Sequence, residues 1–338
     1  MNSLRIAING FGRIGRVFFR QAFNKEGMEI VALNDLGDVE NLAYLVSHDS
    51  VYGRFSHEVK ADKERSKLIV DGKEISFFQE KEPAKLPWRD LHVDVVVEST
   101  GFFTSTDKAK AHLDAGAKRV VISAPAKDEV TPTATPNVGV SFLAQGAITS
   151  NASCTTNATT PVAAIMLQNP GIAKAMLSTV HGYTATQSLV DSPAGKDFLR
   201  GRAAALNIVP SSTGAAEAVY RAIPELKGLF DGIAMRVPVG TGSIIDMTFL
   251  AKRQTSVQEI NDIFRQAAAS PEWQGILKVS EEPLVSTDIL GEPYGSIVDV
   301  SLTRVVDGDL VKVCSWYDNE WGYAAMLIKH IQQLASLL

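Results

Sequence analysis

Residues 150–157 hold the residue types from which a protein builds a nucleophile. They read Ser-Asn-Ala-Ser-Cys-Thr-Thr-Asn, and an apolar helical pattern follows at 161–167. Cys154 is therefore predicted at the start of a helix, where side-chain oxygens of Asn151 and Ser153 can accept hydrogen bonds from first-turn N–H groups. The positive end of that helix is expected to favour the thiolate form of Cys154 over the thiol. A buried, inert cysteine is the alternative, but the surrounding small polar groups favour a nucleophile.

A glycine motif near the N-terminus supplies a candidate partner for that nucleophile. Gly10, Gly12 and Gly15 form Gly-x-Gly-x-x-Gly between a predicted strand at 4–9 and a predicted helix. In dinucleotide-binding folds these glycines permit the tight turn, the close approach of a pyrophosphate and the packing of helix on strand. The next predicted strand ends at Asp35, whose carboxylate can bind ribose hydroxyls and would repel a 2′-phosphate. The pattern predicts binding of NAD rather than NADP.

A thiolate and a dinucleotide in one chain suggest the oxidation of an aldehyde. The thiolate adds to the carbonyl, the thiohemiacetal loses hydride to NAD⁺, and an acceptor then releases the acyl group from the thioester. A base must take the proton of the first adduct, and His181, in a predicted strand at 175–183, is the natural candidate. The remaining histidines lie in polar or helical-surface contexts and are interpreted as solvated: His48, His57, His92, His112 and His330.

Anion binding is the other requirement of this chemistry. A helix predicted to begin at Ser212, with Thr213 and Gly214 in its first turn, would offer N–H groups and a hydroxyl to an anion. Arg236, at the end of a predicted strand, and Arg200, in an irregular stretch, could each clamp phosphate oxygens in bidentate fashion. Taken singly, either arginine is more often part of a surface ion pair. No cluster of metal-ligand residues stands out, so no metal is expected.

Two regions of different pattern must position these residues. Over residues 1–150 predicted strands alternate with helices, which is typical of a parallel sheet in an α/β domain. Thr100 and Ser123 follow two of these strands, at the strand ends where open α/β sheets bind ligands. Over residues 151–319 longer strands and the hairpin signal at 307–309 predict an α+β domain with a mainly antiparallel sheet. The expected fold class is thus α/β, a Rossmann-type dinucleotide-binding domain plus an α+β catalytic domain.

Composition and charge exclude several classes of function. The chain has 338 residues, a net charge of −5 and no run rich in Lys and Arg, so nucleic acid is not an expected partner. No apolar run approaches the roughly 20 residues of a membrane helix, and no signal peptide precedes the first strand. The cysteines, Cys154 and Cys314, lie 160 residues apart and favour a reduced, cytoplasmic setting over a disulfide framework. Cys314 lies in a strand pattern and is predicted to be buried and inert.

The order of these motifs resembles that of phosphorylating glyceraldehyde-3-phosphate dehydrogenases. The resemblance covers nearly the whole chain, and the octet around Cys154 and the segment 316–323 are its most specific parts. The matching segments are 9–16, 34–35, 150–157, 181–187, 212–216, 236–238 and 316–323. The resemblance implies oxidation of D-glyceraldehyde 3-phosphate to 1,3-bisphosphoglycerate with NAD⁺ and inorganic phosphate. It also implies a homotetramer in which the stretch 184–207 reaches a neighbouring subunit, and a last helix, 320–338, that returns to the first domain.

The resemblance also implies a role for each matching residue. Cys154 would be the nucleophile and His181 its activator. NAD would be contacted by a set drawn mainly from the first domain: Gly10, Gly12, Arg13, Ile14, Gly15, Asp35, Lys81, Thr100, Ser123 and Asn319. Inorganic phosphate would be bound by Ser153, Thr155, Thr213 and Gly214. The substrate's own phosphate would be bound by Thr184 and Arg236, with Arg200 serving the phosphate subsites.

Several positions depart from the family pattern. Ala158 stands where most members have a second cysteine, which removes a route to an intramolecular disulfide. Glu217 reverses a charge near the predicted phosphate-binding helix, and residues 239–242 and 132–146 also fit poorly. Two alternatives therefore stay open: the sister activity on erythrose 4-phosphate, and a degenerate relative that acts as a redox-sensing or binding protein.

Overall fold

The computed structural model describes residues 3–195 and 197–337. These residues form two compact units. The first runs to Ala134 and includes Val140–Ala152 and the residues from Leu327 onward. The second comprises Thr135–Gly139 and Ser153–Met326.

The first unit is built on an eight-stranded sheet. Its helices are α1 (Arg13–Ala22), α2 (Val39–Ser47) and α3 (Thr106–Asp114), with 3₁₀ turns at Pro83–Lys85 and Val140–Gln145. Its strands are β1 (Leu4–Asn9), β2 (Met28–Asn34), β3 (His48–Asp49), β4 (Gly53–Arg54), β5 (Val59–Asp62), β6 (Lys67–Val70), β7 (Lys73–Phe78), β8 (Val95–Glu98), β9 (Arg119–Ile122) and β10 (Ile148–Ser150).

The strand order of this sheet creates a binding crevice. The order is β10-β9-β8-β1-β2-β7-β6-β5, and the strands from β10 to β7 run parallel. The chain leaves β1 toward β2 and later returns to the other side of β1 as β8. That reversal is a topological switch point, and ligands of open α/β sheets bind outside the carboxyl ends of the strands that flank it.

The second unit is built on a mainly antiparallel sheet that also has eight strands. Its helices are α4 (Cys154–Gln168), α5 (Ala215–Ala222) and α6 (Val257–Ala269), with 3₁₀ turns at Phe198–Gly201, Pro224–Leu226, Pro271–Trp273 and Val300–Leu302. Its strands are β11 (Ile172–Gly182), β12 (Val209–Ser212), β13 (Phe230–Val237), β14 (Ser243–Ala251), β15 (Leu277–Ser280), β16 (Ser296–Asp299), β17 (Arg304–Val306) and β18 (Leu310–Tyr317). Helix α7 (Trp321–Ala335) begins in the second unit and belongs to the first from Leu327 onward.

Register and packing in this sheet position the catalytic side chains. The order is β12-β13-β11-β14-β18-β16-β15, and β17 pairs with β18. Among the described strands of this second sheet, only the pairs β11 with β13 and β15 with β16 are parallel. One face packs on α4, α5 and α6 through buried residues such as Val162, Val219 and Phe264. The expected fold class, a Rossmann-type unit and an α+β unit, is confirmed.

Some local expectations were wrong. The helix expected from Ser212 begins only at Ala215, because residues up to Ser212 pair with β13 as an edge strand. Before the hairpin turn at 307–309 the chain forms two short strands, β16 and β17, with a 3₁₀ turn between them, where Asp299 accepts a hydrogen bond from the Ser301 N–H. His112 and His330 are fully buried rather than solvated.

In the part of the chain that the structure describes, no helix is long and apolar enough to cross a membrane.

Candidate active site

Cys154 is the first residue of α4, as its sequence context predicts. Ser153 is the N-cap, and its hydroxyl oxygen accepts a 3.1 Å hydrogen bond from the Thr156 N–H. This bond satisfies one of the unpaired donors at the start of the helix. The N–H groups of Cys154 and Thr155 act on the Cys154 sulfur, where they stabilise negative charge.

His181 faces this thiol from the end of β11. Its Nε2 lies 3.3 Å from the Cys154 sulfur. Its Nδ1 lies 2.6 Å from the Gly182 carbonyl oxygen. The Gly182 carbonyl can only accept, which favours a proton on Nδ1, whereas Arg236 Nη1 lies 2.6 Å from the same nitrogen and can only donate, which favours a lone pair there. In the tautomer with the proton on Nδ1, the Nε2 lone pair is directed at the thiol. This is the geometry required of a general base.

Arg236 is the charged neighbour of this pair. Strands β11 and β13 are parallel, and their register pairs His181 with Arg236, which places both side chains on one face of the sheet. Arg236 Nη1 lies 2.6 Å from His181 Nδ1 and donates a 3.0 Å hydrogen bond to the Gly182 carbonyl oxygen. The resemblance gave Arg236 to the substrate phosphate, but the structure places its guanidinium against the imidazole.

Burial and Arg236 together set the protonation states. Burial, and then the charge of Arg236, lower the pKa of His181 to about 3 from its ordinary 6.5. Cys154 keeps partial solvent exposure. Even so, desolvation raises the pKa of its thiol, against the opposing effects of Arg236 and of hydrogen bonds from Thr155. The expected lowering of the thiol pKa was therefore wrong, because sequence spacing does not reveal desolvation. The pair at neutral pH is a thiol beside a neutral base.

A buried tyrosine contacts the imidazole of His181 and the residue that follows Cys154. Tyr317, in β18, shares hydrogen bonds of 2.9 Å with the Thr155 hydroxyl and 2.8 Å with the Thr179 hydroxyl. Its ring meets the imidazole of His181 edge to face, with centroids 5.9 Å apart. Tyr317 was not among the predicted site residues, although it belongs to segment 316–323, one of the most specific parts of the family resemblance. The hydroxyl of Thr155, a residue expected at the inorganic phosphate, contacts this tyrosine.

The other residues expected to bind phosphate are only partly brought together. Arg200 is close enough for its charge to lower the pKa of Arg236, and it forms a 2.9 Å ion pair with Asp197. Arg200 also donates a 2.8 Å bond to the Ser211 hydroxyl. Thr213 accepts a bond from the Ala215 N–H at the start of α5, beside the N-cap Gly214. Thr184 pairs with Thr186 in an exposed loop.

Asn319 is connected through Ser243 to the backbone of Gly182, the residue that follows His181. Its side-chain oxygen accepts bonds from the Gly242 N–H at 3.0 Å and from the Ser243 hydroxyl at 2.9 Å. The Ser243 oxygen in turn accepts a 3.1 Å bond from the Gly182 N–H. The orientation of Asn319 is therefore fixed with its carbonyl satisfied, which leaves the amide nitrogen as the group for a ligand.

The first unit holds a cavity of about 510 Å³ at the carboxyl ends of β1, β2 and β8. It is lined by Asn9, Gly10, Gly12, Asn34, Asp35, Leu36, Glu80, Lys81, Ser99, Thr100, Phe102 and Phe103. Gly10 has a φ of 93°, and a Cβ there would lie 2.6 Å from the Thr100 nitrogen. A Cβ at Gly15 would lie 2.2 Å from the Gly10 carbonyl oxygen, whereas Gly12 faces open space. The three glycines thus have the separate uses that a dinucleotide turn requires.

The predicted cofactor contacts divide between this cavity and its surroundings. Asp35, Lys81 and Thr100 line it. Arg13, Ile14 and Ser123 are not among its lining residues, and Arg13 forms a short ion pair with Asp49. The N-cap of α1 is Gly12, which has no side chain to cap the helix, so the N–H groups there suit a pyrophosphate. The residues present therefore fit a dinucleotide.

Comparison with protein-family models decides the family. Residues 4–106 match the model described as "Glyceraldehyde 3-phosphate dehydrogenase, NAD binding domain". Residues 153–319 match the model described as "Glyceraldehyde 3-phosphate dehydrogenase, C-terminal domain". The chain belongs to the glyceraldehyde 3-phosphate dehydrogenase family. The resemblance stated from the motifs is confirmed, as is NAD as the cofactor.

Curated relatives support the same assignment over the full length. Glyceraldehyde-3-phosphate dehydrogenase 1 of Streptomyces avermitilis is 49% identical over 96% of this chain and 97% of its own. The enzyme of Mycolicibacterium smegmatis is 48% identical over 96% of each chain. Glyceraldehyde-3-phosphate dehydrogenase B of Aspergillus oryzae is 42% identical over 98% of each. The family member described here is thus an NAD-dependent oxidoreductase.

Proposed function

We propose that this chain oxidises D-glyceraldehyde 3-phosphate to 1,3-bisphosphoglycerate, with NAD⁺ as oxidant and inorganic phosphate as acyl acceptor. The observation that carries the proposal is the 3.3 Å approach of His181 Nε2 to the Cys154 sulfur. The lone pair on Nε2 accepts the thiol proton as the sulfur adds to the aldehyde carbon, and Nε2 then returns that proton to the oxygen of the adduct. The product of that step is a thiohemiacetal on Cys154.

The residues around the pair have defined roles in this mechanism. The Cys154 N–H and its neighbours at the start of α4 stabilise the negative charge that develops on the former carbonyl oxygen. NAD, when bound, supplies the hydride acceptor that turns the thiohemiacetal into a thioester. His181, neutral again once it has returned the first proton, is available to take the hydroxyl proton in that step. Phosphate oxygen then attacks the thioester carbon, and the Cys154 thiolate leaves.

The phosphate groups are assigned to the cationic side of the cluster. Arg236 and Arg200 supply the positive charge, and the N–H groups at the start of α5 supply further donors. Ser153, Thr184, Thr213 and Gly214 complete the proposed phosphate set. Thr155 acts in this proposal through Tyr317 and Cys154 rather than as a phosphate ligand.

We also propose the homotetramer that the family resemblance implies. The outer face of the second sheet leaves apolar side chains exposed, among them Met176 at 59% and Ile233 at 52%. The stretch after His181 does the same, with Phe198 exposed at 80% and Leu206 at 81%. Exposed apolar area of this kind favours cover by other subunits. Light scattering of the purified chain tests this: a monomeric mass would contradict it.

Two further expectations stand as proposals. We propose that residues 1–150 with 320–338 act as the NAD-binding domain and residues 151–319 as the catalytic domain. We also propose a cytoplasmic location, in line with the free thiols of Cys154 and Cys314.

Initial rates with two aldehydes distinguish the proposed activity from its alternatives. We expect faster NADH formation with glyceraldehyde 3-phosphate than with erythrose 4-phosphate, and dependence of the steady state on inorganic phosphate. A faster rate with the four-carbon sugar would assign the sister activity. Stoichiometric alkylation of Cys154 should abolish NADH formation. If NADH formation continues, Cys154 is not the nucleophile, and the result favours a redox-sensing or binding role.

A further inference from the structure

Buried polar side chains form a continuous hydrogen-bonded chain under the cavity of the first unit. The chain runs through Trp88, His112, Glu98, Asn9 and Asn34, none more than 4% exposed. The mechanism uses none of these groups. A buried carboxylate and imidazole are costly unless they are fully hydrogen bonded, so their presence calls for a function.

The hydrogen bonds fix the tautomer of His112. The indole N–H of Trp88 can only donate, and it lies 3.1 Å from His112 Nδ1, which must therefore accept. The imidazole proton then sits on Nε2, which donates to Glu98 Oε2 at 3.0 Å. The side-chain nitrogen of Asn9 donates to the same oxygen at 2.6 Å.

The other oxygen of Glu98 holds a wall of the cavity. Glu98 Oε1 accepts a 2.9 Å bond from the Thr100 N–H and a second, short bond from the Thr100 hydroxyl. The Ser99 hydroxyl donates a 2.7 Å bond to the Gly10 carbonyl oxygen. The glycine turn after β1 is thereby joined to the turn after β8 at the topological switch point. Thr100 is the cavity-lining residue whose backbone and hydroxyl the carboxylate fixes.

The opposite end of the chain holds the facing wall. The Asn9 side-chain oxygen accepts a 2.7 Å bond from Asn34 Nδ2. Asn34 also bonds both backbone groups of Glu80, accepting from its N–H and donating to its carbonyl oxygen, each at 2.9 Å. Glu80 lines the cavity beside Lys81, and Asn34 directly precedes Asp35. One buried network therefore spans the cavity floor from Thr100 to Glu80.

We propose that Glu98 and His112 are a positioning pair that sets the affinity of the first unit for NAD. They act by holding Thr100 and, through Asn9 and Asn34, the Glu80 wall in the geometry that the dinucleotide needs. This role concerns the binding of NAD, which is the cofactor step of the proposed function. It rests on the proposed function only for the identity of the ligand. It predicts an effect on binding, with no effect on the chemistry at the thiol.

Variants at Glu98 and His112 test the pair. In the parent, both carboxylate oxygens of Glu98 accept hydrogen bonds. Glu98→Gln replaces one of these oxygens by an NH₂ group, so at least one donor loses its acceptor. His112→Leu leaves Glu98 and Trp88 without their partner. We expect each variant to weaken NAD binding, measured by calorimetry on nucleotide-free protein, by about tenfold. The KM for NAD should rise in parallel, with kcat at saturating NAD within about twofold of the parent.

Two further variants separate positioning from a general loss of stability. His112→Gln carries an amide N–H close to the position of Nε2 and should recover most of the affinity. His330→Leu is the matched control, because His330 is equally buried in the same unit but bonds Thr149 at 2.9 Å and lies away from the cavity. We expect His330→Leu to lower the melting temperature but leave the NAD dissociation constant within about twofold of the parent.

The outcomes distinguish the inference from the proposed function. Unchanged NAD affinity in Glu98→Gln and His112→Leu would overturn the inference, as would an equal loss of affinity in His330→Leu. NAD binding by the parent without oxidation of glyceraldehyde 3-phosphate would overturn the proposed function and leave the pair standing. A parent chain that binds no NAD would overturn both. If His112→Leu does not fold, the comparison of Glu98→Gln with the parent decides.

Discussion

Removing the charge of Arg236 should raise the pKa of both His181 and Cys154. The pKa of His181 is about 3 rather than its ordinary 6.5. That difference corresponds to ~5 kcal/mol against the imidazolium form, at 1.36 kcal/mol per pKa unit. Burial is the larger cause and Arg236 the smaller. In Arg236→Gln we therefore expect the pKa of His181 to rise by about 1.

The same substitution should slow the reaction of the Cys154 thiol. The Arg236 charge opposes the effect of burial on the thiol pKa. Without it, the pKa rises further and less thiolate is present at any given pH. Opposite charges about 4 Å apart attract by ~1 kcal/mol even in water-like surroundings and by more inside a protein. Alkylation by iodoacetamide at pH 7 should therefore slow at least about fivefold, with the whole pH profile displaced to higher pH.

A matched variant controls for loss of a positive charge as such. Arg221→Gln removes an arginine of α5 that pairs with Glu217. We expect its alkylation rate to equal that of the parent. The measurements are the second-order alkylation rate from pH 6 to 10 and the NMR titration of the imidazole. An unchanged alkylation profile and an unchanged His181 titration in Arg236→Gln would refute the electrostatic reasoning.

Three more predictions follow from burial and hydrogen bonding. Cys314 is buried and its thiol pKa is raised to about 11, so peptide mass spectrometry should find iodoacetamide on Cys154 but not on Cys314 at pH 8. Burial lowers the pKa of His330 to about 4, so the unfolded chain binds its proton first as the pH falls below 6.5. The free energy of unfolding should then fall by up to ~1.4 kcal/mol per pH unit from this group down to pH 4, and urea titrations of His330→Gln should show a shallower fall. Tyr317→Phe removes two buried hydroxyl contacts and should cost ~1–3 kcal/mol of stability; an unchanged urea midpoint would contradict the role given to Tyr317.

Local sequence patterns were sufficient to predict the fold class and the placement of the reactive residues. The glycine turn and the helix start at Cys154 are set by neighbours within a few residues, so motif and spacing reveal them. The strand holding His181 is also evident from its apolar run. Its contact with Arg236 was not predicted, because it depends on the parallel register of β11 with β13, which joins residues 55 positions apart.

Tertiary burial accounts for most of what the sequence did not reveal. His112 and His330 lie on helices with polar neighbours, and only packing of those helices on the sheet removes them from solvent. The thiol pKa of Cys154 was expected to fall because a helix start is visible in sequence, whereas desolvation is not. Thr155 was assigned to phosphate by resemblance, yet the fold directs its hydroxyl to Tyr317.

A single-turnover experiment shows whether Cys154 carries the acyl group that inorganic phosphate releases. Nucleotide-free enzyme is mixed with NAD⁺ and glyceraldehyde 3-phosphate without inorganic phosphate, and NADH and protein mass are followed together. We expect a burst of one NADH per chain with the acyl group on Cys154, and sustained turnover once phosphate is added. NADH formation that continues without phosphate, or that persists in Cys154→Ser, would contradict this expectation.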